Sequence, residues 1–221
     1  MKMEQIPNLS GALRERGKAR RYAEIVAAAS DLWRQHGFDK VSLSQIAAAA
    51  EVSPQTIYNL IGGLDAVCLA IINVAMDAVE AKLARSTAAG VAFALEAARV
   101  SAQHYIDDAR LYRQVLVRIP RVLFDDTHLG RDVAQIVIGA MSQAQAAGEI
   151  SADLDPDRLG RVIYSNYLGA IYDWACGDTD DATFLDTCQI AVLAPVTACA
   201  TDAARTTLSA DLFARLNGGK A

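Results

Sequence analysis

The chain has 221 residues, 52% of them hydrophobic and 21% charged, which is enough apolar material for one or two packed domains and rules out a disordered polyelectrolyte. Its formal net charge of −5 excludes a protein basic all over, yet the charge is uneven: residues 1–65 carry 8 Lys/Arg against 7 Asp/Glu, and residues 66–221 carry 13 against 19. The chain starts without an apolar signal core and has no apolar run near the roughly 20 residues of a membrane span, so a cytoplasmic protein is expected, with no membrane partner.

In chain order, residues 1–20 read as a basic arm. Within residues 1–21 there are 6 basic against 2 acidic residues, and Arg14, Arg16, Lys18, Arg20 and Arg21 are closely spaced. Such an arm can follow phosphates or enter a minor groove; a frayed, solubilising terminus is the other reading.

Residues 42–61 spell two short helices and a tight turn. Ser42 with Gln45 makes a capping box, and Leu43, Ile46, Ala47 and Ala50 recur at helical spacing. Ser53-Pro54 opens the second helix, the hydroxyl satisfying an orphan N–H and proline standing where no donor is needed. Glu51 in the turn takes a position that favours glycine, because a left-handed backbone costs a residue with a Cβ roughly 1 kcal/mol. On the second helix Gln55 and Asn59 share a face, and both amides can pair with the N6/N7 edge of adenine. Thr56 and Tyr58 carry hydroxyls suited to phosphate, and Ser44 and Ser53 add hydroxyls at the two helix starts. Ile57 is expected to point inward. An ordinary polar surface helix is the alternative.

Beyond residue 65 only helices are expected. They run over about 66–85, 91–107, from Ala109 to before Pro120, about 127–147 closed by Gly148, and from the Asp155-Pro156 start to Cys176. After a polar turn at 177–181, the last helix is expected over about 182–204, bent at Pro195. Ala191, Val192, Val196, Cys199 and Ala200 suggest a small-residue apolar surface for a second copy. Leu159, Val162, Ile163, Tyr167, Ala170, Ile171 and Trp174 form a broad apolar stripe with Asn166 inside it, where the amide could meet a ligand or a neighbouring helix. His104, Tyr105, Tyr112 and Arg113 offer polar tips that could converge with Asn166 and Tyr167 on a cavity, although Tyr112 could equally be core. Such a cavity suits a hydrophobic or aromatic small molecule.

Residues 21–67 resemble the DNA-binding domain of the TetR family of tetracycline-repressor-like regulators. The resemblance is carried by a first helix over 21–36, the Gly37-Phe38 stop, Val41-Ser42-Leu43 with Ile46-Ala47, and Val52-Ser53 with Thr56-Ile57-Tyr58. It implies that Pro54, Gln55 and Asn59 meet bases and that Ser42, Thr56 and Tyr58 meet phosphate. Leu60 stands where the family often has His, and Leu64 where a Lys commonly contacts phosphate. Each missing phosphate partner lowers the salt dependence of binding. Ala147-Gly148-Glu149-Ile150, Asp155 and Tyr172-Asp173-Trp174 resemble the family's C-terminal half. That resemblance implies an all-α chain: a three-helix helix-turn-helix domain at 21–65, joined by a long helix to a ligand-binding and dimerisation domain at 66–221, with the last two long helices paired across a homodimer.

Other chemistries find little support. His36, His104 and His128 are scattered, and no G-x-S-x-G elbow, Walker loop or dinucleotide glycine loop is present, so neither an enzyme nor a bound metal or cofactor is expected. Acid pairs such as Asp107-Asp108 and Asp180-Asp181 fit helix ends. Cys68, Cys176, Cys188 and Cys199 lack C-x-x-C spacing and read as reduced thiols, with a redox sensor as the alternative. The expected function is a dimeric, ligand-responsive regulator of transcription, acting as a repressor on a palindromic operator in double-stranded DNA. The alternative is a helical small-molecule or protein binding module with weakened or lost DNA binding.

Overall fold

The computed structural model describes residues 9–118 and 130–218. Among the described residues there are ten α-helices, one 3-10 turn and no strand, and the chain divides into two compact units at residues 1–72 and 73–221.

The first unit holds α1 (Leu9–His36), the 3-10 turn (Phe38–Lys40), α2 (Leu43–Ala49), α3 (Pro54–Leu60) and the start of α4 (Leu64–Leu83). Helix α1 begins at Leu9 rather than Arg21, so residues 9–20 are helical and not an extended arm. Their composition accounts for this: Leu, Ala, Arg, Glu and Lys are good helix formers, and Lys18–Glu15 and Arg20–Glu24 pair at helical spacings, against the unfavourable Gly11 and Gly17. Further on, Ile25, Val26, Ala29 and Trp33 turn one side of α1 into the core, where Val41, Ile46, Ala47 and Ile57 are also buried. Trp33 packs on Phe38 with ring centroids 4.8 Å apart.

The second unit holds the rest of α4, then α5 (Gly90–Ile106), α6 (Ala109–Leu116), α7 (Ala134–Ala146), α8 (Pro156–Cys176), α9 (Asp181–Cys199) and α10 (Asp202–Leu216). The expected helix over 127–147 is described from Ala134; its first residues, with His128, lie outside the described residues. Helices α5, α7, α8 and α9 pack on one another. Small residues permit it. A Cβ on Gly160 of α8 would fall 2.8 Å from the Cα of Ile138 on α7, so a larger residue would force the two helices apart. Gly90, at φ 56°, opens α5 where the Glu149 carboxylate accepts from the Val91 N–H at 2.9 Å and Gln143 Oε1 from the Gly90 N–H at 3.3 Å. An acidic group there satisfies orphan donors and complements the helix dipole. Asp155 and Pro156 start α8 as expected, with the Asp155 carboxylate accepting from the Asp157 N–H at 3.0 Å.

The end of the chain differs from expectation. Helix α9 stops at Cys199, with Pro195 inside it, and Ala200 is extended at φ −67°, ψ 143°. Ile150 and Ala200 form an isolated antiparallel bridge, with the Ser151 N–H donating to the Cys199 carbonyl and the Thr201 N–H to the Glu149 carbonyl, both at 3.0 Å. These bonds engage backbone groups that a continuous helix would have used, and α10 follows as a separate helix. The expected small-residue surface is also largely internal: Ala191, Val192, Val196 and Ala200 are buried within the chain's own second unit, because α9 packs on α5, α8 and α10. By length and composition alone α9 could cross a membrane, but Phe184, Cys188, Leu193 and Val196 are buried against neighbouring helices.

Candidate functional site

The turn between α2 and α3 is built from local hydrogen bonds. Ser42 Oγ accepts from the Gln45 N–H at 3.3 Å, and the Ser42 N–H donates to Gln45 Oε1 at 2.8 Å, the reciprocal capping box. At the other end of α2, the Val52 N–H reaches the Ala47 carbonyl at 2.9 Å and the Glu51 N–H the Ala48 carbonyl at 3.2 Å. Those two bonds form a Schellman motif, whose pivot must be left-handed. Glu51 is that pivot, at φ 53°, the one non-glycine with positive φ among the described residues.

Ser53 then caps α3, accepting from the Thr56 N–H at 3.1 Å, with Pro54 at the first helical position. The Ser53 and Thr56 hydroxyls are themselves 2.8 Å apart. Ile57 is wholly buried, which anchors α3 and turns its opposite face outward. On that outer face Gln55, Tyr58 and Asn59 are exposed, Tyr58 to 64%. Gln55 Nε2 donates to Asn59 Oδ1 at 2.8 Å, so the two amides are joined along one exposed side of the helix. Ser42, Ser44, Ser53 and Pro54 are exposed, and Thr56 is half-buried beside Ser53. Leu60 and Leu64 are half-buried. These positions therefore contribute apolar cover and no phosphate donor.

The other candidate residues lie in the second unit and only partly converge. His104 Nε2 is 3.0 Å from the Tyr112 hydroxyl; the Tyr105 and Tyr112 rings are 5.1 Å apart, and both tyrosines are buried. The Tyr167 hydroxyl is hydrogen-bonded to Ser101 Oγ. Burial pushes the hydroxyls of Tyr105 and Tyr167 well above the usual phenol range, so both remain neutral donors. Burial also raises the Cys188 thiol and lowers the His104 imidazole, the latter helped by Lys82. Ser101 and Cys188 thus stand beside the expected tyrosines. Neither carries a sequence signal beyond its place on a helix rich in apolar residues.

Arg113 and Asn166 lie elsewhere. The Arg113 guanidinium sits 4.6 Å over the Trp174 ring and 3.1 Å from Asp181 Oδ1, an acceptor that also takes the Trp174 Nε1–H at 2.8 Å. Asn166 is exposed with Val162, Ser165 and Gly169 on the outer side of α8. The apolar stripe is accordingly narrower than expected, because α8 buries only the side carrying Leu159, Ile163, Ala170, Ile171 and Trp174. An open cleft of 440 Å³ bounded by Glu80, Arg131, Asp132 and Ile136 contains none of the candidate residues. The cysteines are free thiols, with Cys176 exposed and Cys68 and Cys188 buried.

Residues 25–60 match the sequence model of the bacterial regulatory proteins, tetR family. No curated protein matches the chain in sequence. In fold it is similar to FadR of Thermus thermophilus, a TetR-family transcriptional repressor in complex with lauroyl-CoA, at 21% identity over 78% of this chain and 93% of that one, with a TM-score of 0.63. It is also similar to RolR in complex with resorcinol, at 17% identity over 88% and 96% of the chains, with a TM-score of 0.65. A third similar structure is SmeT, the repressor of the Stenotrophomonas maltophilia multidrug efflux pump SmeDEF, at 18% identity over 83% and 92%, with a TM-score of 0.57.

Proposed function

We propose that this chain, whose residues 25–60 match the tetR-family sequence model and whose all-α fold is similar to that of a TetR-family repressor, is a homodimeric transcriptional repressor released from a palindromic operator by a small molecule. The observation that carries this reading is the division of α3: Ile57 is locked inside while Gln55, Tyr58 and Asn59 stand outside on a helix pinned by the Ser53 cap. An amide edge of that kind reads adenine in the major groove, and the flanking hydroxyls of Ser42, Ser44, Ser53, Thr56 and Tyr58 take phosphates.

The effector enters the second unit among α5, α6 and α8, where His104, Tyr105, Tyr112, Tyr167 and Ser101 set neutral polar groups on apolar walls. Such a lining suits a hydrophobic or aromatic molecule bearing a hydroxyl or carbonyl. The lauroyl-CoA and resorcinol complexes of proteins with this fold support that range of ligands. Because α4 belongs to both units, a shift of this helix on effector binding changes the spacing of the two recognition helices. The effector must bind the released state more tightly for this to work. The partner copy is met by the outer band of α8 and α9, where Val162, Gly169, Tyr172, Ala194 and Ala198 are exposed. The protein acts in the cytoplasm and without catalysis.

Titration of the purified protein against DNA from its own upstream region, at several salt concentrations, tests the reading. Specific binding that Gln55→Ala or Asn59→Ala weakens supports the repressor. Absent or salt-insensitive binding would sink it and favour a binding module, for which the apolar Leu60 and Leu64 speak.

A further inference from the structure

Helix α1 runs on beyond the part of its unit that it helps to pack. Among the described side chains its first core residue is Ile25, and every residue from Leu13 to Arg21 except the half-buried Gly17 is exposed. This projecting stretch carries Arg14, Arg16, Lys18, Arg20 and Arg21 against the single acid Glu15. Lys18 and Arg20 make exposed ion pairs, with Glu15 at 2.9 Å and Glu24 at 3.5 Å, which water and salt weaken readily. Arg14, Arg16 and Arg21 have no ion pair with the described residues.

The placement of these charges is not symmetric. Arg14, Lys18 and Arg21 follow one another at four and three residues, within an arc of about 60°, and the same line reaches Ile25 four residues later. Ile25 lies on the side of α1 that packs toward α2 and α3. The basic stripe is therefore a straight continuation of the inner side of α1, overhanging on the side where the helix-turn-helix lies. Arg16 and Arg20 lie on the opposite side. Seven residues of helix extend about 10 Å, and duplex DNA carries one charge per roughly 1.7 Å of axis.

We propose that residues 13–21 act as a rigid basic helix that lies along the phosphate backbone of DNA flanking the bases read by α3, with Arg14, Lys18 and Arg21 as the contacting stripe. This rests on the DNA-binding function proposed for α3. It differs from a flexible arm inserted in a minor groove because the charges must keep helical register, and Gly17, in the middle of the stripe, governs that register. A Cβ at Gly17 meets nothing within 4 Å, so alanine fits and stiffens the helix, whereas proline breaks it.

The test measures affinity of the full chain for a synthetic duplex of random sequence, and separately for DNA from its own upstream region, across a salt series. The triple variant R14A/K18A/R21A is expected to flatten the slope of log K against log salt by about 0.9 for each phosphate no longer neutralised, and R16A/R20A to flatten it less. At unchanged charge, Gly17→Ala is expected to tighten binding and Gly17→Pro to weaken it, with the unfolding transition of the domain unchanged. An unaltered slope in the triple variant, or Gly17→Pro binding as tightly as the parent, overturns the proposal while leaving the reading head of α3 intact, which Gln55→Ala tests independently. Failure of the parent protein to bind either duplex overturns both.

Discussion

The side-chain amide of Gln55 donates to Asn59 Oδ1 at 2.8 Å across one turn of α3. The two groups best suited to read adenine therefore hold each other in the free protein, and they present a single edge of donors and acceptors. Base reading by either amide must use the capacity that this mutual bond leaves free, or break it.

Gln55→Ala and Asn59→Ala are each expected to cost about 1–3 kcal/mol of specific DNA binding. The double variant is expected to lose less than the sum, with a coupling of at least about 0.5 kcal/mol. A double-mutant cycle by fluorescence anisotropy measures this. Strict additivity would mean that the pair does not act as one edge.

Glu51 holds the left-handed pivot of the turn at φ 53°. Glu51→Gly removes the clash between Cβ and the carbonyl, and a gain of about 1 kcal/mol in unfolding free energy is expected, reduced somewhat by the greater freedom of glycine in the unfolded chain. Chemical denaturation reads it. A loss of stability would show that the Glu51 side chain contributes more than its backbone strain costs.

Asp181 accepts from both Arg113 and Trp174. Asp181→Ala leaves the indole N–H of a wholly buried tryptophan without this acceptor, at an expected cost of about 1–3 kcal/mol. Arg113→Ala removes a partly exposed ion pair and a cation–π interaction, and a smaller loss of about 1 kcal/mol is expected. Urea unfolding followed by tryptophan fluorescence ranks the two. The reverse order would place the weight on the guanidinium instead.

Burial, and then the charge of Lys82, hold the His104 imidazole below its ordinary value of 6.5, while Asp107 and Asp108 pull the other way. The unfolded chain consequently takes up a proton near pH 6.5 that the native fold resists, so stability is unaffected above that pH and falls as the pH drops below it. Asp132 and Asp180 are held below the ordinary carboxylate value of 3.8, so their contributions disappear only at more acidic pH. Between pH 7 and 5 the parent protein is expected to lose more unfolding free energy than His104→Gln. Parallel pH profiles for the two proteins would count against the assignment.

The sequence by itself determined what short-range chemistry controls. The Ser42–Gln45 box, the Ser53-Pro54 start, the left-handed turn at Glu51 and the Asp155-Pro156 start all depend on groups two to five residues apart, and each is found in the structure. The inward Ile57 and the outward Gln55 and Asn59 follow from helical periodicity in the same way. Tertiary structure decided the rest. Whether Ala200 continued a helix or bridged to Ile150, whether Arg113 faced a cavity or Asp181, and whether Val162 and Asn166 were covered by a neighbour could not be read locally. The bridge and the Arg113 ion pair depend on partners tens of residues away, and burial of one side of α8 depends on where α7 and α9 lie. Helical spacing sets which residues share a face. Packing alone sets which of those faces is covered.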